Sequence, residues 1–220
     1  FAPQLHMHKH LTAENVLKAV NDGLSRAAQE FNERSEVTSG AEPRFAYGII
    51  VCALRHFRPS FSEYYADLWR VHRHSHPKRL YTMASLEVAQ AAVEIRDRLG
   101  IPIVGFDLAG EEAGFPAGDH VEAFQYAHKH FLQKTVHAGE AYGPESIFQA
   151  ITDLHADRIG HAYYLYNTDM IQDEEIVDRD GYVRDLVQFI ADRRITLEIC
   201  LTSNMQTIPS LKNLGDHTLK

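Results

Sequence analysis

A histidine and a glutamate three residues apart are the clearest sign of chemistry in the sequence. His137 and Glu140 end an apolar run in the motif VHAGE. An imidazole is a common zinc ligand, and a carboxylate nearby can transfer protons. His161 ends the next such run, in RIGHA, directly after Gly160, where the missing side chain leaves space for a ligand. Together the two motifs predict an active site that contains His137, Glu140 and His161.

Two further motifs, FDLAGEE and LEICLTSN, also end apolar runs in polar or ionisable residues. Asp107 could orient a metal ligand or a water molecule, or it could stabilise a turn. Gly110 provides either a tight turn or exposed backbone that hydrogen-bonds a planar substrate. Glu198 is a second candidate for orienting the site, with a structural buried acid as the alternative. The Thr-Ser-Asn sequence that follows it could equally cap a helix.

The elements that must position these residues follow from the alternation of apolar runs and helix-length segments. That alternation is typical of parallel strands that carry chemistry at their carboxyl ends, and it predicts an α/β fold of the TIM (β/α)8 barrel type. Six strands are predicted, the first of them incomplete. They are Phe1–Pro3, Phe45–Leu54, Ile103–Leu108, Thr135–His137, Arg158–His161 and Thr196–Cys200.

Six strands are two fewer than a closed barrel needs, so we expect a single barrel domain over residues 1–220 that lacks its first and last strands. The strands present would be about the second to the seventh. Residues 55–83 interrupt the regular alternation and are predicted to be an inserted, partly helical segment. Exposed sheet edges in such a partial barrel would favour self-association.

Composition narrows the function classes. The sequence is 45% hydrophobic and 24% charged, which is ordinary for a soluble, cytoplasmic catalytic domain. Its longest apolar stretch, Phe45–Leu54, is shorter than the roughly 20 residues that span a bilayer, so no membrane partner is expected. A net charge of −8 disfavours a nucleic-acid partner. Cys52 and Cys200 each fall in a predicted strand, and we interpret them as core thiols.

The motifs DLAGEE, VHAGE, RIGH and EICLTSN, in this order, resemble the adenosine deaminase family of metal-dependent purine nucleoside deaminases, in its bacterial form. The resemblance implies zinc-dependent hydrolytic deamination at purine C6. By motif, His137 would bind Zn²⁺ and Glu140 would protonate the purine nitrogen N1. His161 would position the attacking hydroxide, and the Gly110 backbone would contact the purine. Zinc contributes by lowering the pKa of its bound water to about 7.

The sequence also departs from that family. The family needs an H-x-H pair on the first strand and an aspartate from a T-D-D motif on the eighth, and neither can be placed. His6-Met7-His8 spells H-x-H but lies one unit too late, so a solvated loop or a rim position is expected for it. His72, His74 and His76 are also expected in a solvated loop. Ala162 stands where the family usually has glycine.

With one of four protein zinc ligands, residues 1–220 alone are expected to bind no zinc tightly and to have negligible activity. The favoured function is deamination of adenosine or deoxyadenosine in purine salvage. Another 6-aminopurine nucleoside such as aminodeoxyfutalosine is an alternative substrate. A different amidohydrolase activity on the same barrel, or a non-catalytic remnant, also stays open.

Overall fold

The computed structural model describes residues 1–218, and in this range it has one sheet of five strands. The strands lie side by side in chain order, and every neighbouring pair is parallel. Their carboxyl ends therefore meet at one edge, as expected for part of a (β/α) barrel. The strands are β1 (Ile49–Leu54), β2 (Ile103–Ala109), β3 (Gln133–Ala138), β4 (Arg158–His161) and β5 (Thr196–Glu198).

Helices fill the connections between the strands, and sequence signals set several of their ends. Thr12 caps the first helix in a capping box with Asn15. Gly100 ends the fourth with a left-handed backbone (φ 66°), a conformation that costs glycine little. The helices are α1 (Ala13–Asn32), α2 (Ser35–Thr38), α3 (Glu63–Val71), α4 (Pro77–Leu99), α5 (Val121–Lys129), α6 (Pro144–Thr152), α7 (Arg179–Asp192) and α8 (Leu201–Thr207).

The main core lies between the sheet and these helices. Phe106, Leu108, Val136 and Ile159 are fully buried there, because alternate residues of a strand point to the same face. In β2, Asp107 falls between Phe106 and Leu108 and so belongs to the opposite face. Burial of one face thus fixes which residues of the strands are available for chemistry on the other.

The prediction of a sixth strand at Phe1–Pro3 is wrong. Pro3 begins a short 3-10 helix, and its ring nitrogen has no N–H to extend a ladder. Phe1 alone lies along β1: its amino group donates to the Ile50 carbonyl at 2.8 Å, and the Cys52 N–H donates to the Phe1 carbonyl at 2.9 Å. These two bonds place Phe1 beside β1, where the incomplete strand was expected.

Two other strand predictions need correction at their ends. The strand predicted from Phe45 begins only at Ile49, and Phe45 is instead exposed, with its backbone bonded to the Asn32 side chain. Cys200 is not in a strand, because β5 ends at Glu198, and it lies half-buried just before α8. Cys52, by contrast, is buried within β1 as predicted.

The segment of residues 55–83 contributes Phe57, Tyr65 and Leu80 to a second apolar cluster, which Ala84 completes. The helix predicted near the centre of this segment is α3. His74 and His76 are exposed in the turn before α4, where the His76 side chain accepts from the Lys78 N–H. Among the helices of residues 1–218, none is both long and apolar enough to cross a membrane.

Candidate active site

The register of three neighbouring strands brings the predicted site residues to one edge of the sheet. Asp107 pairs with Thr135 between β2 and β3, and His137 lies two residues further along β3. Between β3 and β4, His137 pairs with Gly160 and Ala138 with His161. The absence of a side chain at Gly160 matters here, because a Cβ atom would lie 3.3 Å from the His137 ring.

Asp107 and His137 form the first contact pair of the site. Asp107 Oδ1 lies 3.1 Å from His137 Nδ1, which leaves Nε2 of the imidazole available for another partner. Burial disfavours the charged form of His137, but the hydrogen bond to Asp107 and the charges of Asp107, Glu198 and Glu140 outweigh it and raise the pKa of His137. Such a contact is what an orienting role for Asp107 requires.

Glu140 and His161 form the second contact pair. Glu140 Oε1 lies 3.6 Å from His161 Nδ1 and accepts a hydrogen bond from the Thr207 hydroxyl at 2.7 Å. Burial lowers the pKa of His161, the Glu140 charge opposes this, and the nearby His137 lowers it further. The rings of His137 and His161 lie 5.2 Å apart between centroids, so all four side chains share one space.

Asn204, in α8, contacts the same ring nitrogen of His161. Its side-chain Nδ2 lies 2.9 Å from His161 Nδ1, and its Oδ1 lies 3.1 Å from His217 Nε2. Asn204 is fully buried. With Nδ1 accepting from the amide, a neutral His161 carries its proton on Nε2.

The backbone at the end of β4 departs from strand geometry. His161 and Ala162 have φ values of 70° and 49°, both in the left-handed region. Non-glycine residues there cost about 1–2 kcal/mol each, and such conformations concentrate at functional sites.

Gly110 and Glu198 flank this arrangement. Gly110 follows β2 with φ 100° and is exposed, so its backbone is accessible at the rim. Glu198 is half-buried and accepts from Arg158 at 2.6 Å and from the Thr135 hydroxyl at 3.0 Å. It therefore influences His137 through its charge, with Arg158 and Thr135 as its direct partners.

The donor set is incomplete for a metal ion within residues 1–218, because no three histidine, cysteine or carboxylate side chains there converge in a metal-binding arrangement. His137, whose Nδ1 contacts Asp107, is the residue that the sequence predicts as a zinc ligand. His6 and His8 lie exposed after the first 3-10 helix, Pro3–Leu5.

Comparisons with known proteins identify the family of the chain. The family model described as adenosine deaminase matches residues 1–220. The chain is 34% identical over 209 residues to adenosine deaminase 1 of Streptomyces coelicolor, which covers 94% of the chain and 42% of the relative. It is 33% identical over 218 residues to adenosine deaminase of Mycobacterium ulcerans, which covers 99% of the chain and 49% of the relative. The chain belongs to the adenosine deaminase family.

Family membership is accompanied by a shared fold. The structure of adenine deaminase from Arthrobacter aurescens superimposes with a TM-score of 0.64 at 21% identity and covers 98% of this chain and 49% of that one. The chain spans about half the length of the curated relatives it matches. Those relatives are hydrolases that act on carbon–nitrogen bonds in cyclic amidines.

In this member of the adenosine deaminase family, sequence reasoning missed two buried charged residues, Arg55 and Glu112. Arg55 looked like the start of the excursion, and Glu112 like one of two acids closing a motif. The structure buries both, with their side chains 3.9 Å apart and in contact with the VHAGE segment. The signal that could have pointed to this pair is the second glutamate of DLAGEE. One of the two glutamates can lie at the solvated rim, but a second that is buried needs a partner of opposite charge.

Proposed function

We propose that the protein contributes to the zinc-dependent hydrolytic deamination of adenosine or deoxyadenosine, which yields inosine or deoxyinosine and ammonia. The observation that carries this proposal is the convergence of Asp107–His137 with Glu140–His161 at the carboxyl ends of β2, β3 and β4. Family membership supports the same chemistry. A cytoplasmic role in purine salvage remains the prediction made from sequence.

Each residue has a defined task in this proposal. Glu140 lies at the rim with one oxygen held by Thr207. In its protonated form it gives a proton to purine N1 as hydroxide adds to C6, and the C6–amine bond then breaks to release ammonia. His161, whose pKa is lowered mainly by burial, is neutral near pH 7 and presents its Nε2–H to the attacking oxygen. The exposed Gly110 backbone faces the purine.

We assign His137 as a zinc ligand because Asp107 fixes its ring and leaves Nε2 free. Among residues 1–218, no three histidine, cysteine or carboxylate side chains converge in a metal-binding arrangement. Zinc, when bound, would supply an activated water by lowering its pKa.

A substrate panel on the protein at its natural length tests the proposal. Ammonia release is followed from adenosine, deoxyadenosine, adenine and aminodeoxyfutalosine, with zinc content measured on the same sample. Turnover of adenosine or deoxyadenosine above the others supports the proposed function. Preference for aminodeoxyfutalosine selects the alternative nucleoside, and absence of turnover on the whole panel refutes the proposal.

A further inference from the structure

A single buried carboxylate, that of Glu112, organises the turn that follows His137. Its Oε2 accepts from the N–H groups of Glu140 at 2.9 Å, Ala141 at 2.6 Å and Tyr142 at 3.2 Å. Its Oε1 accepts from the Gly139 N–H at 3.0 Å and the Ser146 hydroxyl at 2.5 Å. Five donors therefore converge on one side chain that is 3% exposed.

Arg55 secures the same turn from its other end. The guanidinium is fully buried, and Nη2 donates to the His137 carbonyl at 2.6 Å while Nη1 donates to the Phe115 carbonyl at 2.5 Å. Nη2 also lies 3.9 Å from Glu112 Oε1, so the two opposite charges compensate each other. A buried charge of either sign without its partner would be strongly unfavourable.

The pair thus holds the backbone on both sides of the short step from His137 to Glu140. The carbonyl of His137 is fastened by Arg55, and the four N–H groups that follow are fastened by Glu112. Gly139 between them has φ 75°, and a Cβ atom there would lie 2.7 Å from Ile147. The backbone of the turn therefore has little freedom to move, and this holds the His137 and Glu140 side chains in place.

The hydrogen bonds of Arg55 and Glu112 reach the two functional side chains through the backbone of the turn. His137 is aimed at Asp107, and Glu140 is aimed at His161 and Thr207. The two side chains point to different partners from the same turn, so the position of each depends on the backbone of that turn. A shift of about 1 Å in such a segment can cost about 100-fold in rate.

We propose that Glu112 and Arg55 are positioning residues, a buried ion pair that sets the His137–Tyr142 turn and thereby the placement of His137 and Glu140. Its effect on rate rests on the proposed function, whereas its effect on the turn does not. Glu112→Gln tests the effect on the turn directly. The NH2 of the new amide cannot accept a hydrogen bond, so at least one N–H or hydroxyl group that now donates to Glu112 loses its acceptor.

The experiment compares wild type, Glu112→Gln, Glu112→Asp and Glu145→Gln at natural length. Glu145 is a matched control, since its carboxylate also accepts two backbone N–H groups, from Gln172 and Asp173, but on a different loop. Steady-state deamination gives kcat and KM, and hydrogen–deuterium exchange reports the amides of residues 139–142. All measurements are made well below the unfolding temperature of each variant.

We expect Glu112→Gln to lower kcat at least tenfold with KM changed less than threefold, and to speed exchange at residues 139–142 at least tenfold. Glu112→Asp keeps the charge beside Arg55 but shortens its reach, so it should fold and show intermediate effects. Glu145→Gln should match wild type in both measurements. A kcat change without loss of protection, or wild-type behaviour of both Glu112 variants, overturns the proposal.

The two proposals fail in different ways. If the wild type deaminates no purine of the panel, the proposed function fails, and exchange at residues 139–142 alone decides on the ion pair. Faster exchange in Glu112→Gln then supports its hold on the turn, and unchanged exchange refutes it.

Discussion

Glu140 Oε1 lies 3.6 Å from Nδ1 of His161, which places a carboxyl group beside an imidazole whose pKa is lowered by burial. Each has a second partner, Thr207 for Glu140 and Asn204 for His161, and both partners lie in α8. The helix after β5 thus supports both groups. Their roles can be separated by changing one side chain at a time.

Glu140→Gln should abolish most turnover and spare substrate binding. The amide keeps the size of the side chain and can still accept from Thr207, but it cannot act as an acid. General acid catalysis contributes roughly 10²–10⁴-fold, so kcat should fall by at least about 100-fold. Deamination assays and equilibrium dialysis with adenosine, on the protein at natural length, measure the two quantities.

The exposed Glu122 in α5 provides the control, and Glu122→Gln should keep wild-type turnover. If Glu140→Gln retains turnover within tenfold of wild type, Glu140 is not the proton donor.

Asn204→Ala should impair His161 without removing it. The variant loses the contacts to His161 and His217 in a buried part of the site, which costs about 1–3 kcal/mol of stability. Loss of a partner that orients a functional imidazole typically costs roughly 10–100-fold. We therefore expect kcat to fall within that range and the ¹⁵N shifts of His161 to indicate a mixture of tautomers.

Asn213→Ala is the matched control, because Asn213 is exposed and its amide donates to Asp216. Wild-type kcat and unchanged His161 shifts in Asn204→Ala would show that this amide does not orient the ring.

The sequence was sufficient to place the side chains that end strands. Apolar runs determine where β2, β3 and β4 end, and Asp107, His137 and His161 lie at or near those ends. It could not reveal that Arg55 and Glu112 meet, because their contact depends on how the segments after β1 and β2 fold over the rim. Asn204 was weighed as a helix cap, since its partners His161 and His217 are 43 and 13 residues away.

Ala162→Gly should leave stability almost unchanged, although Ala162 is fully buried. Glycine removes a strain of about 1–2 kcal/mol at φ 49°. It also loses a buried methyl group, about 0.8 kcal/mol, and adds unfolded-state entropy of roughly 0.5–1 kcal/mol. These effects nearly cancel, so urea unfolding should give a change within about 0.5 kcal/mol.

Ala138→Gly is the matched comparison, because Ala138 is equally buried and its carbonyl accepts from the Ala162 N–H, but it lies in β3 without positive φ. Without strain to relieve, it should lose about 1.5 kcal/mol. Equal losses at the two positions would contradict the claim that the left-handed backbone at Ala162 is costly.

His120 should make stability fall as the pH is lowered. Burial, with the positive charge of Arg55 adding to it, lowers the pKa of His120 to about 4, whereas an unfolded histidine titrates near 6.5. Above about pH 6.5 both states hold the neutral ring. As the pH falls toward 4, His120 binds a proton in the unfolded state but stays neutral in the folded state. The free energy of unfolding should therefore fall by about 2 kcal/mol between pH 7.5 and 5.

His120→Asn removes this titration while retaining a side chain that can reach Ser85, whose Oγ lies 3.0 Å from His120 Nδ1. Its free energy of unfolding, measured in urea at pH 7.5, 6 and 5, should therefore decline less steeply than that of wild type. His155→Asn is the control, since His155 is exposed and its φ of 54° suits asparagine. If His120→Asn and His155→Asn both keep the wild-type slope, the buried imidazole is not the source of the acid sensitivity.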